Sequence, residues 1–184
     1  MADVAALLGQ AGDWAARSQG LAQLREFAET HESPELVADA VGILIPHLAE
    51  MLKELRSALL GDCCDTIAVL VQRCAPRAVP PSLRRGFSRH ALRRLGGEPL
   101  FKRELPLLVA ELMRLPATNS VIFTAANNCL QTIVAHSTSS RMMGIVAEVC
   151  KNRHNHRLRA RAVDCALQMM LQWPVSKLRK HDFE

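Results

Sequence analysis

The chain has 184 residues, a formal net charge of +5 and 49% hydrophobic residues, enough apolar material for one domain with a sizeable core. Aromatics make up 4% and Tyr is absent, so Leu, Ala, Val, Met and Ile must fill that core, which suits stacked helices better than a β-sandwich. The basic balance favours an acidic partner without choosing among nucleic acid, a membrane surface and an acidic protein.

In chain order, the start carries Asp3 early and lacks a basic stretch, so it does not read as a signal peptide. A short helix is expected from about Val4 to Ala11, then a turn at Gly12-Asp13-Trp14 and a helix reaching about His31. Ser33 as N-cap with Pro34 at the first helical position opens the next helix, which is expected to reach Leu52. Its partner spans Leu55 to Arg73. Pro76, Pro80 and Pro81 break the chain before a basic helix from about Ser82 to Leu95. A helix from Pro99 to Leu115 is followed by one from Ser120 to His136. A last pair covers Arg141 to Lys151 and His156 to Trp173. Residues 1–175 are expected to form one domain and 176–184 a tail.

A repeat underlies this order. From Trp14, Ser57, Ser120 and Arg157, six residues on lie Gly20, Cys63, Ala126 and Val163. Ten on lie Leu24, Ile67, Leu130 and Leu167; thirteen on, Phe27, Leu70, Ile133 and Met170; fourteen on, Ala28, Val71, Val134 and Leu171. These offsets trace one face of an α-helix. Pro46 and Pro106 precede Leu-rich turns at matching places in the preceding helices and suggest a tolerated bend. The expected fold class is therefore all-α, an α-solenoid of HEAT-type helical hairpins with about four repeats.

Cys63, Cys64, Cys74, Cys129, Cys150 and Cys165 read as small buried apolar residues of a reducing compartment. Leu115 to Ser140 lacks charge but is too polar for a membrane span. Cys150, His154 and His156 lack the fourth ligand and CxxC pair of a zinc site, so no metal is expected. No GxSxG, P-loop, GxGxxG or HExxH occurs, so catalysis and cofactors are not expected. Arg84, Arg85, Arg89, Arg93 and Arg94 form one basic cluster, and Arg153, Arg157, Arg159 and Arg161 a second. Both can neutralise phosphates, but Phe87 is the one aromatic near the first, so a stacking platform for single strands is missing. Nucleic acid is the weaker reading.

Asp13 to Leu24, with Trp14, Arg17, Gly20 and Leu21, resembles the opening of a TOG domain. Leu55-Arg56-Ser57 with Asp62-Cys63-Cys64 resembles the second repeat of the CLASP and crescerin TOG domains, and Arg159 to Pro174 resembles a CLASP-type repeat. The resemblance implies tubulin or microtubule binding by the edge of turns that join the paired helices. It also implies a cytoplasmic, cytoskeletal or ciliary setting. Carried over residue by residue, that edge comprises Trp14 and Arg17 in the first turn, Lys53 and Arg56 in the second, and Asn119 and Ser120 in the third. Lys151, Asn152, Arg153, His154, Asn155 and Arg157 supply the fourth. Trp14 has a second reading, a hydrophobic staple folded onto its own helix. The family usually has about six repeats where this chain has four, and the third turn has no Lys. A helical-repeat adaptor that holds other protein partners is the alternative function.

Overall fold

The computed structural model describes residues 1–54, 56–75, 104–116, 118–151, 154–174 and 178. Within them are nine α-helices: α1 (Ala2–Leu8), α2 (Trp14–Thr30), α3 (Pro34–Gly42), α4 (Ile45–Met51), α5 (Ser57–Arg73), α6 (Leu105–Arg114), α7 (Ser120–His136), α8 (Ser140–Cys150) and α9 (His156–Gln172). No strand occurs among the described residues, and none of these helices is long and apolar enough to cross a membrane. The basic segment 82–95 lies outside the described residues, as do 176–177 and 179–184 of the expected tail.

Two layers result. The second helices of the four hairpins, α2, α5, α7 and α9, pack in that order side by side, while α1, α4, α6 and α8 form the other layer. Each of the four has 17 residues. They run parallel: Ser18 faces Asp62 and Arg25 reaches Thr66 between α2 and α5, and Trp173, just past α9, donates from Nε1 to the Val134 carbonyl near the end of α7, at 2.9 Å. Parallel second helices place all four preceding turns along one rim. This is an α-solenoid of helical hairpins.

Local chemistry explains where the helices start. Asp13 Oδ1 accepts from Ala16 N at 3.0 Å, Asn119 Oδ1 from Val121 N at 3.0 Å, and Asn155 Oδ1 from Leu158 N at 3.1 Å. These side chains satisfy amides that have no partner inside the helix. Gly12, with φ of 93°, makes the left-handed turn ahead of Asp13 that other residues resist. Gly20 lets α1 close on α2: a Cβ there would lie 3.0 Å from Leu8 Cδ2 and 3.1 Å from Leu7 Cβ.

Two expectations are corrected. Pro46 and Pro106 do not bend a continuous helix; each stands in the opening positions of one, α4 and α6. A proline's missing N–H costs nothing there, because that amide has no helical partner anyway. The stretch expected as one helix from Ser33 to Leu52 is accordingly split at residues 43–44 into α3 and α4. The fourth frame begins at Asn155, not Arg157: six, ten and fourteen residues on lie Arg161, Cys165 and Met169, all buried. Ala162, Cys165 and Met169 are buried, whereas Val163, Leu167, Met170 and Leu171 are 50–71% exposed.

The core runs through both layers and is aliphatic: Leu21, Leu24, Leu48, Leu60, Ile67, Leu112 and Ile133 are among its fully enclosed members. Cys63, Cys64, Cys74, Cys129 and Cys165 lie in it as free thiols, and Cys150 is half-buried. Burial pushes the thiols of Cys63 and Cys165 up, that of Cys165 to about 12. Cys129 is raised foremost by its hydrogen bond with Cys64 across α5 and α7, then by burial. Arg73, the last residue of α5, fastens the end of α2: its Nε donates to Ala28 O at 2.9 Å and its Nη2 to His31 O at 2.6 Å.

Candidate functional site

The first two turns of the rim are brought together. Trp14 is 56% exposed, so it is neither sealed in the core nor folded down as a staple. The Arg56 guanidinium lies 6.0 Å from the centre of the Trp14 ring, at the outer limit of a cation–π contact. Arg17, one turn into α2, is buried and donates to the Glu54 carboxylate. That ion pair ties the first turn to the second and keeps Arg17 away from any partner. Gly12, Trp14, Arg17, Glu54, Arg56 and Leu59 together line a shallow notch of about 60 Å³. The indole forms one wall and the guanidinium another.

The remaining expected residues divide by what they touch. Lys53 is exposed but pairs with Glu50 at 2.5 Å, and this hydrogen bond raises its pKa. Glu111 and Arg114 also act on the Lys53 charge, which places the ends of α4 and α6 next to each other on the rim. Asn119 and Asn155 have their Oδ1 atoms committed to capping α7 and α9. Ser120 is exposed at the start of α7 beside Val121, itself 62% exposed. Lys151, His154 and Arg157 are exposed in and after the fourth turn, whereas Asn152 and Arg153 lie outside the described residues. The rim therefore offers an indole and one guanidinium at its first end, a neutral third turn, and cations at its last.

Of the second basic cluster, Arg157 and Arg159 are exposed and Arg153 lies outside the described residues, whereas Arg161 is withdrawn from the surface. Arg161 is 2% exposed and turns inward, where Nη1 donates to the carbonyls of Leu112 and Leu115, both at 3.0 Å. These are carbonyls at the end of α6, which the helix itself leaves without partners. The Arg161 guanidinium also sits 4.6 Å from the Phe123 ring centre. Glu54 and Arg161 are thus two polar residues on or near the rim whose roles the sequence reading missed. The signal for Arg161 was present: moving the last frame by two residues puts Arg161, Cys165 and Met169 on the buried face. Among the described residues no cluster of His, Cys, Asp and Glu could hold a metal ion.

No protein-family model matches the chain. No curated protein matches it either. One similar solved structure is the crystal structure of an engineered protein, 13% identical, which covers 97% of this chain and 83% of its own at a TM-score of 0.37.

Proposed function

We propose that the chain is a TOG-like module that captures tubulin by the rim of its hairpin turns and serves microtubule dynamics or cytoskeletal and ciliary assembly. One observation carries the reading: an indole more than half exposed at the end of a rim shared by four turns, with Arg56 across its face. A large aromatic in such a place can anchor an interface, and its truncation typically costs about 2 kcal/mol or more of binding. Exposed Arg56, Lys151 and Arg157 add steering toward an acidic surface. The mechanism is non-covalent: the rim docks, and no bond is made or broken.

Co-elution of the chain with tubulin on gel filtration tests this. Trp14→Glu is expected to abolish co-elution while leaving the helical circular dichroism unchanged. Unchanged co-elution removes Trp14 from the site.

A second reading, a helical-repeat adaptor without tubulin binding, draws on the exposed apolar residues Val163, Leu167, Met170 and Leu171 of α9. Failure of the unaltered chain to co-elute with tubulin would favour it. Nucleic-acid binding loses ground because Arg161 is enclosed; salt-insensitive filter retention would eliminate it.

A further inference from the structure

Between α7 and α9 runs a cleft of about 150 Å³. Its floor holds Arg161, whose Nη1 is used by the end of α6. The other edge of the guanidinium is not used: Nε and Nη2 are both buried and have no hydrogen-bond partner. Buried guanidinium N–H groups without acceptors are costly, more so because they carry charge. Nε and one N–H of Nη2 point the same way from a planar group, and this pair of parallel donors matches the two oxygens of a carboxylate. No carboxylate of the described residues forms an ion pair with Arg161, and burial lowers its pKa.

The walls narrow the ligand. Leu130, Val134, Cys165 and Leu167 line the same cleft together with Asn127, Gln131 and Gln168, so the body behind the charged group meets both apolar and amide side chains. The buried Asn127 Oδ1 is an acceptor without a donor there. Asp164 stands exposed at its lining, where its negative charge repels a dianion such as phosphate more than a monoanion. A volume of this size holds roughly a benzene ring in an apolar cavity, about the bulk of butyrate or of a Glu side chain.

We infer that the cleft between α7 and α9 is a binding site for a monocarboxylate on a short, partly apolar body, held by the Nε/Nη2 edge of Arg161. This site is independent of the tubulin-facing rim. Its capping bonds to Leu112 and Leu115 explain why Arg161 is buried, but they use only Nη1. The free edge is what a ligand can take.

The test follows the Arg161 Nε–H signal of the full chain by nuclear magnetic resonance at constant ionic strength. Butyrate is expected to shift it saturably, while butyramide, the neutral counterpart, does not. Asp164→Asn is expected to tighten butyrate several-fold without loss of fold, because Asp164 is exposed. Leu167→Glu, also at a half-exposed position, is expected to weaken it by about tenfold, because it sets a second negative charge beside that of the ligand. A blocked peptide with one Glu between two Leu residues separates the sources. Tighter binding than butyrate assigns the carboxylate to a protein side chain, and weaker binding to a free acid; both support the site. No saturable shift, an equal response to butyramide, or tighter binding of phosphate would overturn it, the first leaving water as the cleft's occupant.

Discussion

Replacing Trp173 with Phe removes one polar contact from the end of the last hairpin while keeping an aromatic ring in place. Trp173 is 4% exposed, and its indole N–H donates to the Val134 carbonyl at 2.9 Å. Val134 lies in the last turn of α7, where carbonyls lack partners within the helix. Phe cannot donate, so the carbonyl loses its partner in a water-poor place, at a cost of about 1–3 kcal/mol. Adding the smaller ring's lost packing gives a destabilisation of about 2 kcal/mol, against about 3–5 kcal/mol for Ala. Urea unfolding followed by circular dichroism reads this directly. With a slope of roughly 2 kcal/mol per molar, the Phe variant's midpoint falls by about 1 M. Fluorescence supplies a second reading, since the variant retains only the exposed Trp14. A Phe midpoint equal to the parent's would refute the claim that the indole bond fastens α9 to α7.

The caps give a second expectation: Asn119→Ala and Asn155→Ala each cost about 1 kcal/mol in the same urea assay, because each leaves helical amides unpaired. Gly20→Leu, which drives a side chain into Leu7 and Leu8, costs about 1–3 kcal/mol and loosens α1, measurable as faster proteolysis at residues 9–12. With a thiol reagent at neutral pH, Cys150 reacts first, and the five buried cysteines react only on unfolding. The raised thiol of Cys165 makes stability fall with alkalinity. Its contribution is whole below the ordinary 9.0 and is lost as pH rises toward about 12, because only the unfolded chain gives up the proton readily. Midpoints that hold constant from pH 8.5 to 11 would contradict this.

Much of the fold was legible because its signals are local. Asp13 and Asn119 announce helix starts, and apolar residues recurring with helical period mark the inner faces of α2, α5 and α7. The fourth hairpin was misread for a physical reason. The frame from Arg157 collects Val163, Leu167, Met170 and Leu171, the more apolar choice, yet the buried face holds Arg161, Ala162, Cys165 and Met169. Hydropathy alone cannot anticipate a buried arginine whose acceptors are the carbonyls of a helix some 46 residues earlier. Pro46 and Pro106 were placed in the correct segments but given the wrong part, since a proline's effect depends on whether the helix has already begun. On the rim, the sequence left Trp14 open between an exposed indole after Gly12 and Asp13 and a staple on its own helix, and the structure has it 56% exposed. The enclosure of Arg17 did not, because it depends on Glu54, 37 residues away.

Arg73 has a consequence for how the molecule opens. Its guanidinium belongs to the second hairpin, but the carbonyls it holds, those of Ala28 and His31, close the first. The end of α2 therefore cannot fray independently while α5 stays intact. In hydrogen exchange, the amides in the last turns of α2 and α5 should share one opening free energy, and Arg73→Met should split that common value in two.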